Sequence, residues 1–292
     1  MNNLILSISV VFFSIVGFFK PTAPPQYDPT LAVMPMCHTV GTPTDMRDFA
    51  LDPAFQALHP APLSIVYEAM GQSVTFAAPD GVEAKGYLIK AKKKSKKWLF
   101  VYQEWWGMND FVKKEADTYY KDLGESVNVL ALDMYDGKST TDPKEAGKIM
   151  SETKEARLEN IMKGGLAFAG KKAKIANVGW CFGGGLSLKS ALIGGKNTVG
   201  SVMYYGMPVK EVEKLKTLNC DVLGLFATEE RISKAVIEEF AANMKTAGKG
   251  LEYKIFNGVH GFANPSNPKH DVELTKEAYS MSLSYLKKKL KV

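Results

Sequence analysis

Cysteine and histidine are the scarce residues of this chain, three and four among 292. So few thiols exclude a disulfide-stapled scaffold, and an odd number leaves at least one of them free. A metal-ligand pattern is lacking too. Cys37 and His38 are adjacent and no second cluster has ligand spacing, so neither a metal nor a cofactor is expected. The glycine-rich turn at 179–185 lacks the G-x-G-x-x-G spacing and follows a late strand, which argues against a dinucleotide fingerprint. The net charge is +6, but the basic residues concentrate in Lys90–Lys97 and Lys287–Lys289 without interleaved aromatics. These read as solvated surface, and no nucleic-acid partner is expected.

Long apolar runs are also missing, with one exception. Leu4–Phe19 is uncharged over 16 residues, the length of a signal h-region and short of the roughly 20 residues that span a bilayer. Residues 1–20 therefore read as a signal peptide, with a retained anchor and transient membrane association as the alternative. The expected location is periplasmic or extracellular. The start Met1-Asn2-Asn3 carries no lysine or arginine and no small-x-small cleavage site is clear. Residues 21–65 are rich in proline and read as an extended arm with one short helix around Asp52–His59. Cys37 lies in this arm. A Cys37–Cys220 disulfide is conceivable, but Cys220 just precedes an apolar strand and reads as a small core residue.

From residue 66 onward the chain is patterned as one domain. Val74–Phe76 and Ala84–Ile89 flank the turn Pro79-Asp80-Gly81 and predict a hairpin. Apolar strands follow at 98–102, 127–132, 175–179, 199–204, 222–226 and 252–256. Helical periodicity fills 110–123, 143–169, 184–192, 233–247 and 272–290. Strand and helix alternating in this way imply a mainly parallel α/β sheet with helices on both faces.

Chemistry concentrates at Gly179-Trp180-Cys181-Phe182-Gly183, a strand running through a tight turn into a helix. This is the form of a nucleophile elbow with Cys181 in the serine place, and small residues must flank it two positions away on each side. A thiol nucleophile needs a base. In the hydrolase order nucleophile, acid, histidine, the imidazole comes last, which leaves His260 and His270. His260 sits in a glycine-rich loop just past a strand and is preferred; His270 lies in a polar turn before the last helix. The acid is expected after the strand 222–226, where Glu229 and Glu230 both stand. Glu104, between an apolar strand and Trp105-Trp106, is a carboxylate costly to bury unless paired or protonated, and so fits a site better than a core.

With Gly-Trp-Cys-Phe-Gly-Gly at 179–184, Val-His-Gly-Phe at 259–262 and Gln103-Glu104-Trp105-Trp106-Gly107 in this order, the chain from about Ser73 to its end resembles the dienelactone hydrolase family of α/β-hydrolases. The resemblance implies an α/β-hydrolase fold and a small ester or lactone as substrate. It implies that Glu104 contacts the resting cysteine, and that the N–H groups of Trp105 and Phe182 form the oxyanion hole. The family's acid is an aspartate. Aligning on the strand puts Glu230 there and aligning on the following helix puts Glu229 there, and strand ends, being the more constrained, favour Glu230. The two arginines that hold a substrate carboxylate in the family have no counterpart here. Gly137 and Asn264 stand in those neighbourhoods, beside Tyr135 and Lys138. Trp106, Tyr135, Lys138, Tyr205, Phe262 and Asn264 are the expected substrate contacts. The displaced acid also keeps open a hydrolase-like fold that binds without catalysis.

Overall fold

Eight strands form one sheet in a computed structural model that describes residues 43, 45–65, 67–229 and 231–292. The leader, most of the arm, Cys37 and Glu230 lie outside the described residues. The strands are β1 (Gln72–Phe76), β2 (Ala84–Ile89), β3 (Lys97–Tyr102), β4 (Asn128–Asp133), β5 (Lys174–Trp180), β6 (Thr198–Tyr204), β7 (Val222–Ala227) and β8 (Leu251–Phe256). Their order across the sheet is β1-β2-β4-β3-β5-β6-β7-β8. The opening hairpin pairs antiparallel, Phe76 opposite Ala84, and β2 runs antiparallel to β4. Every later ladder is parallel.

Burial explains why the sequence reads so clearly as strands. Every residue of β4 and β7 is buried, as expected when helices cover both faces of a parallel sheet, whereas the edge strands β1 and β8 are half exposed. The helices are α1 (Pro53–Leu58), α2 (Asp110–Asp122), α3 (Pro143–Glu152), α4 (Glu155–Ala169), α5 (Phe182–Gly194), α6 (Val212–Leu215), α7 (Lys234–Thr246) and α8 (Val272–Leu290). Most begin at a side-chain cap. Asn109, Asp142, Ser233 and Asp271 each accept from a first-turn N–H, which satisfies a donor that has no partner within the helix.

Two expectations are corrected here. The helix predicted over 143–169 is two helices, broken at Thr153, whose backbone is extended and whose hydroxyl donates to the Ile149 carbonyl. Threonine offers the backbone this local alternative to the helical ladder. The Thr153 carbonyl freed by the break accepts from the Arg47 guanidinium at 3.0 Å.

The second correction concerns the arm. Residues 45–65 are part of the domain, because Met46, Ala50 and Phe55 are buried in the main core. The helix expected around Asp52–His59 is present as α1, with Asp52 accepting from the Ala54 N–H and Pro53 at the first position. Polar anchors hold the segment at several points. Arg47 and Lys189 share Asp45 and Glu155, Arg231 meets Asp52 at 2.6 Å, and the Leu63 N–H donates to the Ser266 carbonyl.

Candidate active site

The C-terminal ends of neighbouring strands converge on one point, which is where open parallel sheets place their ligands. β3 delivers Glu104 and Trp105, β5 delivers Cys181, β6 delivers Tyr205, and the loops after β7 and β8 deliver Glu229 and His260.

The turn at Cys181 owes its shape to its neighbours. Cys181 has φ 54° and ψ −119°, a conformation that costs an L-residue about 1–3 kcal/mol. The turn is so tight that a Cβ on Gly179 would lie 2.1 Å from the Gly183 carbonyl oxygen, and one on Gly183 would lie 2.3 Å from that of Tyr102. Only glycine fits at either place. The Cys181 N–H is tied to the Tyr204 carbonyl at 3.0 Å, which fixes the elbow to β6. Phe182 is the first residue of α5, so its N–H has no partner within the helix.

His260 Nδ1 lies 2.8 Å from Glu229 Oε1, and both side chains are largely buried. The ring's Nε2 is buried without a hydrogen-bond partner, and a nitrogen of this ring lies within 4.8 Å of Cys181 Sγ. Burial disfavours the charged imidazole, but Glu229 and Cys181 together outweigh it and hold His260 well above its ordinary value. Burial pushes the Cys181 thiol up, with His260 opposing.

Glu104 is pushed up to about 7 by burial, against the pull of His260 and two hydrogen bonds. Asn264 Nδ2 donates to its Oε2 at 2.6 Å and the Tyr205 hydroxyl to its Oε1 at 3.4 Å. The walls are aromatic. Trp105 packs on Trp106 with ring centres 4.8 Å apart, Tyr205 meets both His260 and Phe262, and Tyr135 stacks on Phe182 at 5.8 Å. Trp106, Glu104 and Asn264 also line a cavity of about 30 Å³ beside the site. The Tyr135 hydroxyl and Trp105 Nε1 are buried donors with no partner among the described residues.

The sequence-predicted residues thus gather, with two exceptions. Lys138 is exposed, with its carbonyl against Gly107, and is not part of the buried cluster. Glu230 lies outside the described residues, and it is Glu229 that meets His260. His270 is only partly buried, in its turn ahead of α8.

One residue was missed altogether. His59, just past α1, is buried with its Nε2 3.9 Å from Cys181 Sγ, its ring 4.6 Å from Trp105 and 5.0 Å from His260. Triad order had excluded it, and a histidine in a proline-rich arm carries no signal of such a place. Its Nδ1 faces the Phe55 carbonyl at 2.7 Å, and burial lowers it to about 3, so the ring is neutral and Nε2 carries the lone pair.

This sheet order, with a cysteine elbow at β5 and a carboxylate–imidazole pair beyond β7 and β8, defines an α/β-hydrolase. Comparisons with known proteins narrow the class. The model of the dienelactone hydrolase family matches residues 84–290, and the chain belongs to that family, whose members are carboxylic ester and lactone hydrolases. It is 26% identical over 237 residues to a protein of Aquifex aeolicus provisionally named a carboxymethylenebutenolidase, covering 76% of this chain and all of that one. Protein usf of Aquifex pyrophilus is likewise 26% identical over 238 residues, with the same coverage. Among solved structures, a dienelactone hydrolase-like promiscuous phosphotriesterase from metagenomic libraries superposes with a TM-score of 0.64 at 18% identity, covering 76% of this chain and 99% of that one. That likeness shows the fold.

Proposed function

We propose that the protein hydrolyses small esters or lactones through Cys181, His260 and Glu229. Cys181 Sγ attacks the carbonyl carbon with its proton held on His260 Nε2, an imidazolium that Glu229 stabilises at Nδ1. The oxyanion is received by the N–H groups of Trp105 and Phe182. His260 then returns the proton to the leaving alkoxide. Water, deprotonated by the same ring, cleaves the thioester and frees the acid. Glu104, held by Asn264 and Tyr205 beside the thiol, governs when the sulfur ionises.

The observation that carries this reading is the 2.8 Å contact between His260 and Glu229, with the free Nε2 of the same ring turned to an elbow cysteine. Glu230 remains the alternative acid. The chain has three arginines, and each is ion-paired: Arg47 with Asp45 and Glu155, Arg157 with Asp80 and Asp136, Arg231 with Asp52. None is left to clamp a second carboxylate, so neutral esters and lactones suit the site better than dienelactone. Trp106, Tyr135, Tyr205, Phe262 and Asn264 would bound such a substrate. Turnover of p-nitrophenyl acetate or a lactone panel that is lost in Cys181→Ala is the expected result, and full turnover by that variant refutes the mechanism.

A thiol only 1% exposed, beneath His59, favours a second reading, a hydrolase fold that binds its ligand without turnover. Wild-type turnover distinguishes the two. We also read the 4–19 run as an export signal. Fractionation of cells expressing the full chain tests that reading, and recovery solely in the cytoplasm opposes it.

A further inference from the structure

We propose that His59, Cys181 and His260 together form a binding site for a zinc ion, one that would hold the enzyme in a silent state. Their ligating atoms all lie within 4.8 Å of one another, and the three residues are 6%, 1% and 7% exposed. In a tetrahedral zinc site, bonds of about 2.3 Å to sulfur and 2.0–2.1 Å to nitrogen separate neighbouring ligands by roughly 3.5 Å. The His59–Cys181 separation of 3.9 Å needs only a few tenths of an ångström of closure.

The outer contacts are those a metal requires. A ligating imidazole presents a bare nitrogen when its other N–H is held by an oxygen acceptor. His59 Nδ1 is held by the Phe55 carbonyl and His260 Nδ1 by Glu229. The His260 Nε2 atom is buried and makes no hydrogen bond among the described residues, so its lone pair is open to a metal. Charge balances as well. Zn²⁺ binds as the proton held between Cys181 Sγ and His260 Nε2 leaves to solvent and Zn–S and Zn–N bonds form in its place. The thiolate and the Glu229 carboxylate then offset the two positive charges in a buried place.

Two imidazoles and one thiolate are borderline-soft donors suited to zinc, and three protein ligands leave a fourth position for water. The ion would occupy the sulfur lone pair and the proton acceptor that hydrolysis uses. It would also clip the segment 45–65 onto the loop after β8. No spacing in the sequence reveals this, because the ligands are separated by 122 and 79 residues.

The test uses the full, reduced chain stripped by a chelator and titrated with Zn²⁺ against a chromophoric competitor, then with Co²⁺. One ion per chain, a thiolate-to-cobalt charge-transfer band in the near ultraviolet and a rise in Tm are expected. His59→Ala and His59→Gln should each weaken binding at least tenfold, with circular dichroism establishing that each variant is folded. Absence of stoichiometric binding, absence of the cobalt–thiolate band, or equal affinity in a folded His59 variant overturns the proposal. Because these readouts do not depend on turnover, they stand apart from the hydrolase reading. An inactive protein that binds zinc refutes only the latter, and an active one that does not refutes only the former.

Discussion

Acid should loosen the segment that carries His59. The imidazole has a value of about 3 in the folded chain against 6.5 when solvated, because burial disfavours its charge. The fold therefore favours the neutral form. The stability this form confers is intact above pH 6.5, falls as the pH drops below it, and continues to fall until about pH 3. The slope for one group is about 1.4 kcal/mol per pH unit. Between pH 6.5 and 4.5 the closed segment should lose about 2 kcal/mol, a roughly fiftyfold shift toward release.

Other groups must be separated from this effect, Asp45 and Glu104 among them. Asp45 is lowered to about 2, so its contribution is intact above 3.8 and does not move in this window. Glu104 is raised to about 7, so acidification favours the fold at that site and opposes the His59 effect. The difference between wild type and His59→Phe cancels Glu104 and isolates the imidazole. Amide exchange over residues 53–59 at pH 6.5, 5.5 and 4.5 should accelerate roughly fiftyfold in total in wild type relative to the variant. Equal pH dependence in the two proteins, or a His59 titration near 6.5 by NMR, would refute the reasoning.

Glu229→Gln should lower kcat by about 10²–10⁴ while leaving the fold intact, since the amide favours the wrong tautomer of His260; steady-state rates on p-nitrophenyl acetate check this, and an unchanged kcat points to Glu230 instead. Glu104→Gln should raise stability at pH 8 relative to pH 5, because the wild-type carboxyl favours the fold when neutral and that contribution is lost as pH rises from 4.5 through 7. Thermal melts of both proteins at the two pH values decide it. Gly183→Ala should cost several kcal/mol and abolish activity, since the new methyl meets the Tyr102 and Gln103 carbonyl oxygens at 2.3 and 2.4 Å; a Tm within a degree or two of wild type would contradict the close packing at the elbow.

The sheet was legible because its central strands are buried on both faces, so β4 and β7 appear as unbroken apolar runs bounded by loops. The elbow was legible for a related reason, a steric demand met by glycine alone at positions 179 and 183. Choosing between Glu229 and Glu230 was harder. One residue of loop length decides which carboxylate reaches His260, and loop length carries no periodicity. The break at Thr153 escaped notice because the apolar spacing continues across it while the backbone turns extended at Thr153 and Lys154. His59 was hidden for a different reason. Its environment is built from its helix neighbour Phe55 together with Trp105 and Cys181, residues distant in sequence that only the folded chain brings together.

The pairing of Arg231 with Asp52 joins the family-matched stretch to a segment outside it. Arg231 belongs to the family-matched region and stands two residues beyond Glu229. Asp52 precedes that region, and the Aquifex relatives are matched over their whole length by about three quarters of this chain. The guanidinium also lies over the Phe49 and Phe55 rings at 5.6 and 5.5 Å. A substitution in the leading segment is thus felt at the loop bearing Glu229. Across homologues that carry this extension, residues 49, 52 and 55 should vary in step with residue 231, and shorter homologues should be free of that constraint.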